Sequence, residues 1–347
     1  MKVCVVGAGA IGGFLGVRLA NAGHEVSLIA RGAHLAAIRQ KGLKLIQDGG
    51  QLLARDVVAT DRITDLAAQD VVLLALKAHQ IAPVLDDLNA LFGPQTAMVT
   101  LQNGIPWWYF HRLNSPYGAR VVETVDPGGA LFNGIDANRI IGSVVYPAAT
   151  IAEPGVIRHV EGIRFPVGEL DGSESQRVQQ IAALLEDAGF SSRVLADIRA
   201  EIWLKLWGNL TFNPISALTH ATLETICRFP MTRELAATMM TEAQQVAERL
   251  GASFRVTLEK RIAGAEAVGA HKTSMLQDVE AGKALEIDGM LGAVLELADV
   301  TGVDTPALHA LYACTSLLNH TMQEQGIRVR GEPLPVPEVE TSRVASN

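Results

Sequence analysis

The chain has few cysteines, few aromatic residues and little charge. Of its 347 residues, three are cysteine, 5% are aromatic and 19% are charged. Cys4, Cys227 and Cys314 lie far apart without metal spacing, which sets aside a disulfide framework and predicts buried thiols in a reducing compartment. No HxxE, HExxH or paired-cysteine pattern suggests a metal site. No apolar run reaches the roughly 18 residues that a membrane span needs. The net charge of −8 argues against nucleic acid or another polyanion as partner. The N-terminus is a strand-like run carrying a turn motif, which is not the pattern of a signal peptide, so the expected location is cytoplasmic. What is present is a globular composition, 48% hydrophobic, in a chain long enough for about two domains. There is no internal repeat or low-complexity tract.

The densest information lies in MKVCVVGAGAIGGFLGVRLANAGHEVSLIAR. Lys2 to Val6 reads as a buried parallel strand, Gly7-Ala8-Gly9-Ala10-Ile11-Gly12 opens a helix (Ile11, Leu15, Leu19), and Glu25 to Ala30 reads as a second strand. A GxGxxG between strand and helix is the dinucleotide-binding fingerprint. The first glycine permits a tight turn, the second lets backbone approach a pyrophosphate, and the third lets helix and strand pack closely. The diphosphate would rest on free N–H groups at the helix N-terminus. A glycine-rich turn in another α/β unit is the competing reading. The end of the second strand selects the cofactor. An NAD site places Asp or Glu there to accept the ribose 2′-hydroxyl, whereas this chain has Ala30-Arg31. A guanidinium can bind a 2′-phosphate bidentately, so NADPH/NADP is the expected cofactor; a solvated loop charge is the alternative for Arg31.

The α/β pattern continues with a strand at Asp70 to Leu76, a helix near Pro83 to Leu91 and a strand at Ala97 to Leu101. Lys77 and Asn103 follow the carboxyl ends of strands, where open parallel sheets bind ligands. Gly142 to Tyr146, Gly155 to Val160 and Arg164 to Gly168 read as an antiparallel extension, closed by helix Ser175 to Ala188 and strand Ser192 to Leu195. Beyond Asp197 only amphipathic helical segments follow: Ile198 to Phe212, Arg233 to Leu250, Thr273 to Val279, Glu286 to Val300 and Thr305 to Gln325. The expected fold is therefore an α/β Rossmann-type N-terminal domain over residues 1–196 and an all-helical domain over 197–325. A mobile tail over 326–347 carries Pro333, Pro335 and Pro337.

Within the helical part, Lys205, Asn209 and Asn213 recur every four residues on one face of a helix expected to end before Pro214. Their neighbours are almost all apolar, so this face is either a functional stripe or an ordinary exposed one. Glu286 and Asp288 follow Gly282 near the start of a later helix, where acids favour the helix N-terminus on dipole grounds alone. His79 at a loop start reads as structural.

Together these segments resemble the ketopantoate reductase (2-dehydropantoate 2-reductase) family. The resemblance rests on GAGAIGG, Arg31, LALKAHQ, LQNGI, WLKLWGNLTFNPISALT and SMLQDVEAGKALEID, six motifs in order across roughly residues 1–320. It implies a Rossmann-type domain joined to a helical one, with the active site in the cleft between them. By motif position it implies Lys205 as general acid and Glu286 as its acidic partner. Asn103, Asn209, Asn213 and Ser274 would hold a small 2-oxo acid, Asn103 would also lie near the nicotinamide, and Lys77 and Arg31 would contact NADPH. The implied reaction is reduction of ketopantoate to (R)-pantoate for pantothenate and coenzyme A synthesis. Reduction of another 2-oxo acid and a non-catalytic NADPH sensor are the alternatives. The sequence leaves the oligomeric state open, a homodimer included. The chain departs from simpler members in a longer 114–147 segment, in Leu285 before Glu286 and in Ala221-Thr222-Leu223 where a further asparagine is expected. Trp107 and Trp108 beside the Asn103 loop are candidates either for narrowing the pocket or for burial against the sheet.

Overall fold

The structure is a computed structural model that describes residues 1–332. Its N-terminal part runs β1 (Lys2–Val6), α1 (Ala10–Asn21), β2 (Glu25–Ile29), α2 (Gly32–Lys41), β3 (Leu43–Gln47), β4 (Gly50–Ala54), β5 (Val57–Thr60) and β6 (Gln69–Leu74). There follow α3 (Leu85–Leu88), β7 (Phe92–Thr100), α4 (Ala130–Gly134), β8 (Ile140–Ser143), β9 (Ala148–Glu153), β10 (Val156–Glu161), β11 (Val167–Glu169) and α5 (Gln176–Asp187). Among the described residues, seven strands form a sheet in the order β11-β8-β7-β6-β1-β2-β5, parallel except where β11 pairs antiparallel with β8. Val3, Cys4, Val5 and Val6 are fully buried, as a central parallel strand covered on both faces requires. α1 covers one face with Phe14, Leu15, Val17 and Leu19, all fully buried. On the other face Trp107, Trp108, Leu88, Leu91 and Leu131 pack against Val6, Val72 and Met98.

The helical part comprises α6 (Ile198–Thr219), α7 (Leu223–Arg228), α8 (Pro230–Arg249), α9 (Leu258–Ala267), α10 (Ser274–Ala281), α11 (Ala293–Thr301) and α12 (Pro306–Gln325). α6 is its axis, with Trp203, Leu206, Trp207 and Leu210 buried against α8 and its neighbours. Among the described residues no helix is long and apolar enough to cross a membrane.

Several expectations are corrected. The antiparallel extension is two structures. β8 joins the main sheet parallel to β7, while β9 and β10 pair with the β3–β4 hairpin in a separate four-stranded sheet. The 83–91 helix is broken into short turns around α3, and the 192–195 strand reduces to isolated bridges. α6 does not stop before Pro214. It continues to Thr219 with the proline inside, because Phe212, Asn213, Ile215, Ser216 and Ala217 are all buried and packing outweighs the one hydrogen bond a proline removes. Helix Glu286 to Val300 is instead a π turn at Asp288–Gly292 running into α11. Cys4 and Cys227 are buried, but Cys314 is exposed, lying on the outer face of α12. The 114–147 segment docks on α11: the Glu296 carboxylate accepts from the Glu123 and Thr124 N–H groups, both at 2.8 Å, and from Thr124 Oγ1 at 2.6 Å. Of the expected mobile tail, Ile327 N–H donates to Met322 O at 3.0 Å and Arg330 Nε to Glu280 O at 2.7 Å; positions 333–347 lie outside the described residues.

Candidate active site

The fingerprint turn is shaped as a cradle. Gly7 sits at φ +101°, where a side chain is strained, and a methyl on Gly12 would overlap the Gly7 carbonyl oxygen. A methyl on Gly9 would meet no atom within 4 Å; the space beside it is open. Gly9 is the N-cap of α1 and has no side chain to satisfy the first turn. The first helical hydrogen bond runs from Gly13 N–H to Gly9 O at 2.7 Å, so the N–H groups of Ala10, Ile11 and Gly12 remain for an anion. At the end of β2, Arg31 is exposed at the N-cap of α2. An open Gly9, a free helix N-terminus and a guanidinium in place of a carboxylate fit a dinucleotide carrying a 2′-phosphate. A well-hydrated surface turn would not need Gly12 packed against Gly7.

Across from the cradle, α6 presents its polar stripe. Its rotation is fixed on the opposite side. Arg199 donates to the carbonyls of Tyr109 at 2.7 Å, Leu170 at 2.6 Å and His111 at 2.5 Å. Trp203 Nε1 donates to Tyr109 Oη at 2.8 Å, and Trp207 Nε1 to Met240 O at 2.7 Å. Lys205, Asn209 and Asn213 are thereby turned into a cleft of about 520 Å³ that also takes in Ile11, Asn103 and Ser274. The cleft thus gathers residues from the fingerprint helix, the loop after β7, α6 and the first turn of α10.

Lys205 Nζ donates to Asn103 Oδ1 at 2.5 Å and to the carbonyl of Val145. Burial pushes its ammonium down to about 8, with the Glu286 carboxylate pulling the other way. Asn103 is placed by its neighbour: Gln102 Nε2 donates to Leu74 O at 2.7 Å and Leu76 O at 2.9 Å, tying the loop after β7 to the end of β6. The Asn213 amide is buried, and among the described residues its Nδ2 has the Met290 thioether, at 3.9 Å, as its partner. Ser274 is exposed to the cleft at the first position of α10.

The expected pairing of Glu286 with Lys205 takes a different form. Glu286 lies in the link between α10 and the π turn, and its carboxylate is 3.9 Å from Lys77 Nζ. It reaches Lys205 through its field and not by a hydrogen bond; the contacts that hold the ammonium are Asn103 and Val145. Lys77 consequently bridges the two halves of the molecule. Trp107 and Trp108 are both buried, Trp108 Nε1 donating to Thr100 Oγ1 at 2.9 Å, so neither narrows the cleft. His79 is exposed.

Three contributors were missed in the sequence. The Val145 carbonyl has no signature, since any residue supplies one. Behind it, Tyr146 Oη donates to Glu201 at 2.5 Å; burial alone would raise that carboxyl, but Arg255 and Tyr146 hold it low. The third is Gly104, at φ +85°, whose added methyl would overlap the Gly289 carbonyl oxygen. That oxygen accepts from Ile105 N–H at 2.8 Å. The π turn and the Asn103 loop therefore meet backbone to backbone, a contact signalled only by the glycine after Asn103.

Comparison with known proteins fits this arrangement. The family profile described as "Ketopantoate reductase PanE/ApbA" matches residues 3–172, and its C-terminal companion matches residues 197–319. The chain belongs to the ketopantoate reductase family. A 2-dehydropantoate 2-reductase of Mesorhizobium japonicum is 51% identical over 314 residues, covering 90% of this chain and 96% of that protein. One from Archaeoglobus fulgidus is 30% identical, covering 87% and 92%. Among solved structures, a ketopantoate reductase family protein of Ralstonia solanacearum MolK2 superposes with a TM-score of 0.88 at 38% identity, covering 93% of this chain and 98% of that one. The ketopantoate reductase fold thus spans both halves and the cleft between them.

Proposed function

We infer that this protein reduces 2-dehydropantoate (ketopantoate) to (R)-pantoate with NADPH, a step of pantothenate and coenzyme A synthesis. The observation that carries the reading is the Lys205 ammonium, held by Asn103 inside a cleft that both halves line. The N–H groups at the start of α1 and the cradle of Gly7 to Gly12 would hold the diphosphate, Arg31 the 2′-phosphate, and Lys77 and Asn103 the nicotinamide half. When bound, the nicotinamide supplies a hydride to the substrate's carbonyl carbon. Negative charge then grows on the carbonyl oxygen, and Lys205 stabilises it and delivers a proton, a contribution of about 10²–10⁴-fold for general acids. Asn103 and the Val145 carbonyl fix the ammonium before substrate arrives, so little reorganisation is left for the transition state. Glu286 opposes the loss of the lysine's charge that burial favours. Asn209, Asn213 and Ser274 would donate to the oxo and hydroxyl oxygens without adding charge. The test is NADPH oxidation by the purified protein across a panel of 2-oxo acids. Ketopantoate is expected to give the highest kcat/KM; no turnover with it, beside turnover of another 2-oxo acid, defeats the assignment.

A further inference from the structure

A guanidinium in the cleft takes none of these roles. Arg261, from α9, lines it beside Lys205, Asn209 and Asn213. The guanidinium lies against Gly208, and a methyl added to that glycine would overlap its Nη2 and stand 2.7 Å from its Cζ. Burial pulls the Arg261 guanidinium below its ordinary range, and the groups that offset this are Tyr146 and Cys227, not a carboxylate. The residue makes no ion pair or side-chain hydrogen bond among the described residues. A half-buried, permanently charged group without a counter-ion is costly. Here it faces a cleft meant for an acid.

Gly208 strengthens the point. It lies inside a helix, where glycine is about 1 kcal/mol worse than alanine, and its backbone is ordinary helix. The space it leaves is filled by the arginine head. Gly208 is three residues beyond Lys205, about 4.5 Å further along the α6 axis, on the same face. A 2-oxo acid has its carboxylate carbon bonded to its carbonyl carbon, so the anion and the reacting oxygen must be received by groups this close together.

We propose that Arg261, seated on Gly208, is the specificity-determining residue that receives the substrate carboxylate, bidentately, while Lys205 faces the adjacent carbonyl oxygen. The proposal rests on the reading of the cleft as a 2-oxo acid site. It leaves Ser274 and the asparagines to the oxo and hydroxyl groups. Planar guanidinium–carboxylate pairing supplies orientation as well as attraction, which the asparagines alone would not.

The test uses the full chain with NADP bound and oxamate, an unreactive 2-oxo acid mimic, as probe. Arg261→Gln is expected to weaken oxamate binding and raise KM for ketopantoate by about 10- to 100-fold, the range for a lost hydrogen bond to a charged group. NADPH affinity should stay within about twofold, and Arg261→Lys should recover part of the loss. Gly208→Ala is the second variant. Its methyl displaces only the flexible end of a side chain and suits a helix, so the melting temperature should hold or rise while oxamate binding falls. Oxamate binding that is absent in the wild type, or unchanged in Arg261→Gln, overturns the proposal. So does Gly208→Ala with wild-type affinity. If the wild type binds oxamate through Arg261 but does not turn over ketopantoate, the carboxylate site stands and the substrate assignment falls.

Discussion

In the proposed mechanism Lys205 meets two opposed demands, since a proton donor must be charged at working pH and burial disfavours charge. The structure sets its ammonium near 8, the region where a general acid is both protonated and willing to release its proton. The acid form dominates below that value, so kcat/KM should be level at lower pH and fall as pH rises through about 8. In Lys205→Arg that limb should vanish, because a guanidinium does not titrate there; a limb that persists unchanged would assign it to another group. Lys205→Ala should reduce kcat by about 10²-fold or more with the NADPH dissociation constant little altered, as read by single-turnover and binding measurements. Arg31 is proposed to act on the other ligand, at the 2′-phosphate of the cofactor. Its removal in Arg31→Ala should weaken NADPH by about 1.5–3 kcal/mol and leave NADH unaffected. Equal kcat/KM for the two cofactors in the wild type would refute its role.

At the level of elements, two glycines that both follow a strand of the main sheet should behave oppositely. An added methyl at Gly9 meets nothing in the free protein, whereas at Gly104 it overlaps a backbone carbonyl that cannot retreat. Gly9→Ala should therefore melt like the wild type yet lose NADPH affinity about tenfold or more. Gly104→Ala should lose stability by about 1–3 kcal/mol, the cost of a strained left-handed residue, together with turnover. Denaturant titration and NADPH binding separate the two cases. The β1–α1–β2 unit was legible in the sequence because its glycines, β-branched run and helical period all act locally. So was the stripe of α6, since a spacing of four is a property of one helix. The continuation of α6 past Pro214 was not legible, because burial of Ile215 and Ser216 by other helices overrides a local rule. Nor was the second sheet, in which β10 pairs with β3 more than a hundred positions earlier; pairing across that separation leaves no periodic trace.

At the scale of the molecule, the site exists only where the two halves meet. Asn103 reaches from the parallel sheet to Lys205 on α6, Lys77 reaches to Glu286, and the Gly104–Gly289 contact locks the loop to the π turn. Motif order placed these residues in one family pattern, but only the fold shows which of them touch; that Glu286 faces Lys77 depends on the path of a link with no period. A cleft furnished from both sides can recognise both ends of a substrate at once. Ketopantoate carries a hydroxymethyl group where 2-oxoisovalerate has a hydrogen on its branched carbon, and so adds one hydroxyl at the end remote from the carboxylate. With the carboxylate and oxo groups common to both acids, the proposed site would discriminate through the amides of Asn209 and Asn213 or the Ser274 hydroxyl. A site built to hydrogen-bond a hydroxyl leaves its buried polar groups unpaired when the analogue lacks it, and rejects that analogue by up to about 10⁴-fold. The wild type should accordingly favour ketopantoate strongly in kcat/KM, and Ser274→Ala should raise KM for ketopantoate more than for 2-oxoisovalerate. NADPH binding should survive the substitution. Equal kcat/KM for the two acids would leave a 2-oxo acid reductase and remove the specific assignment to pantoate formation.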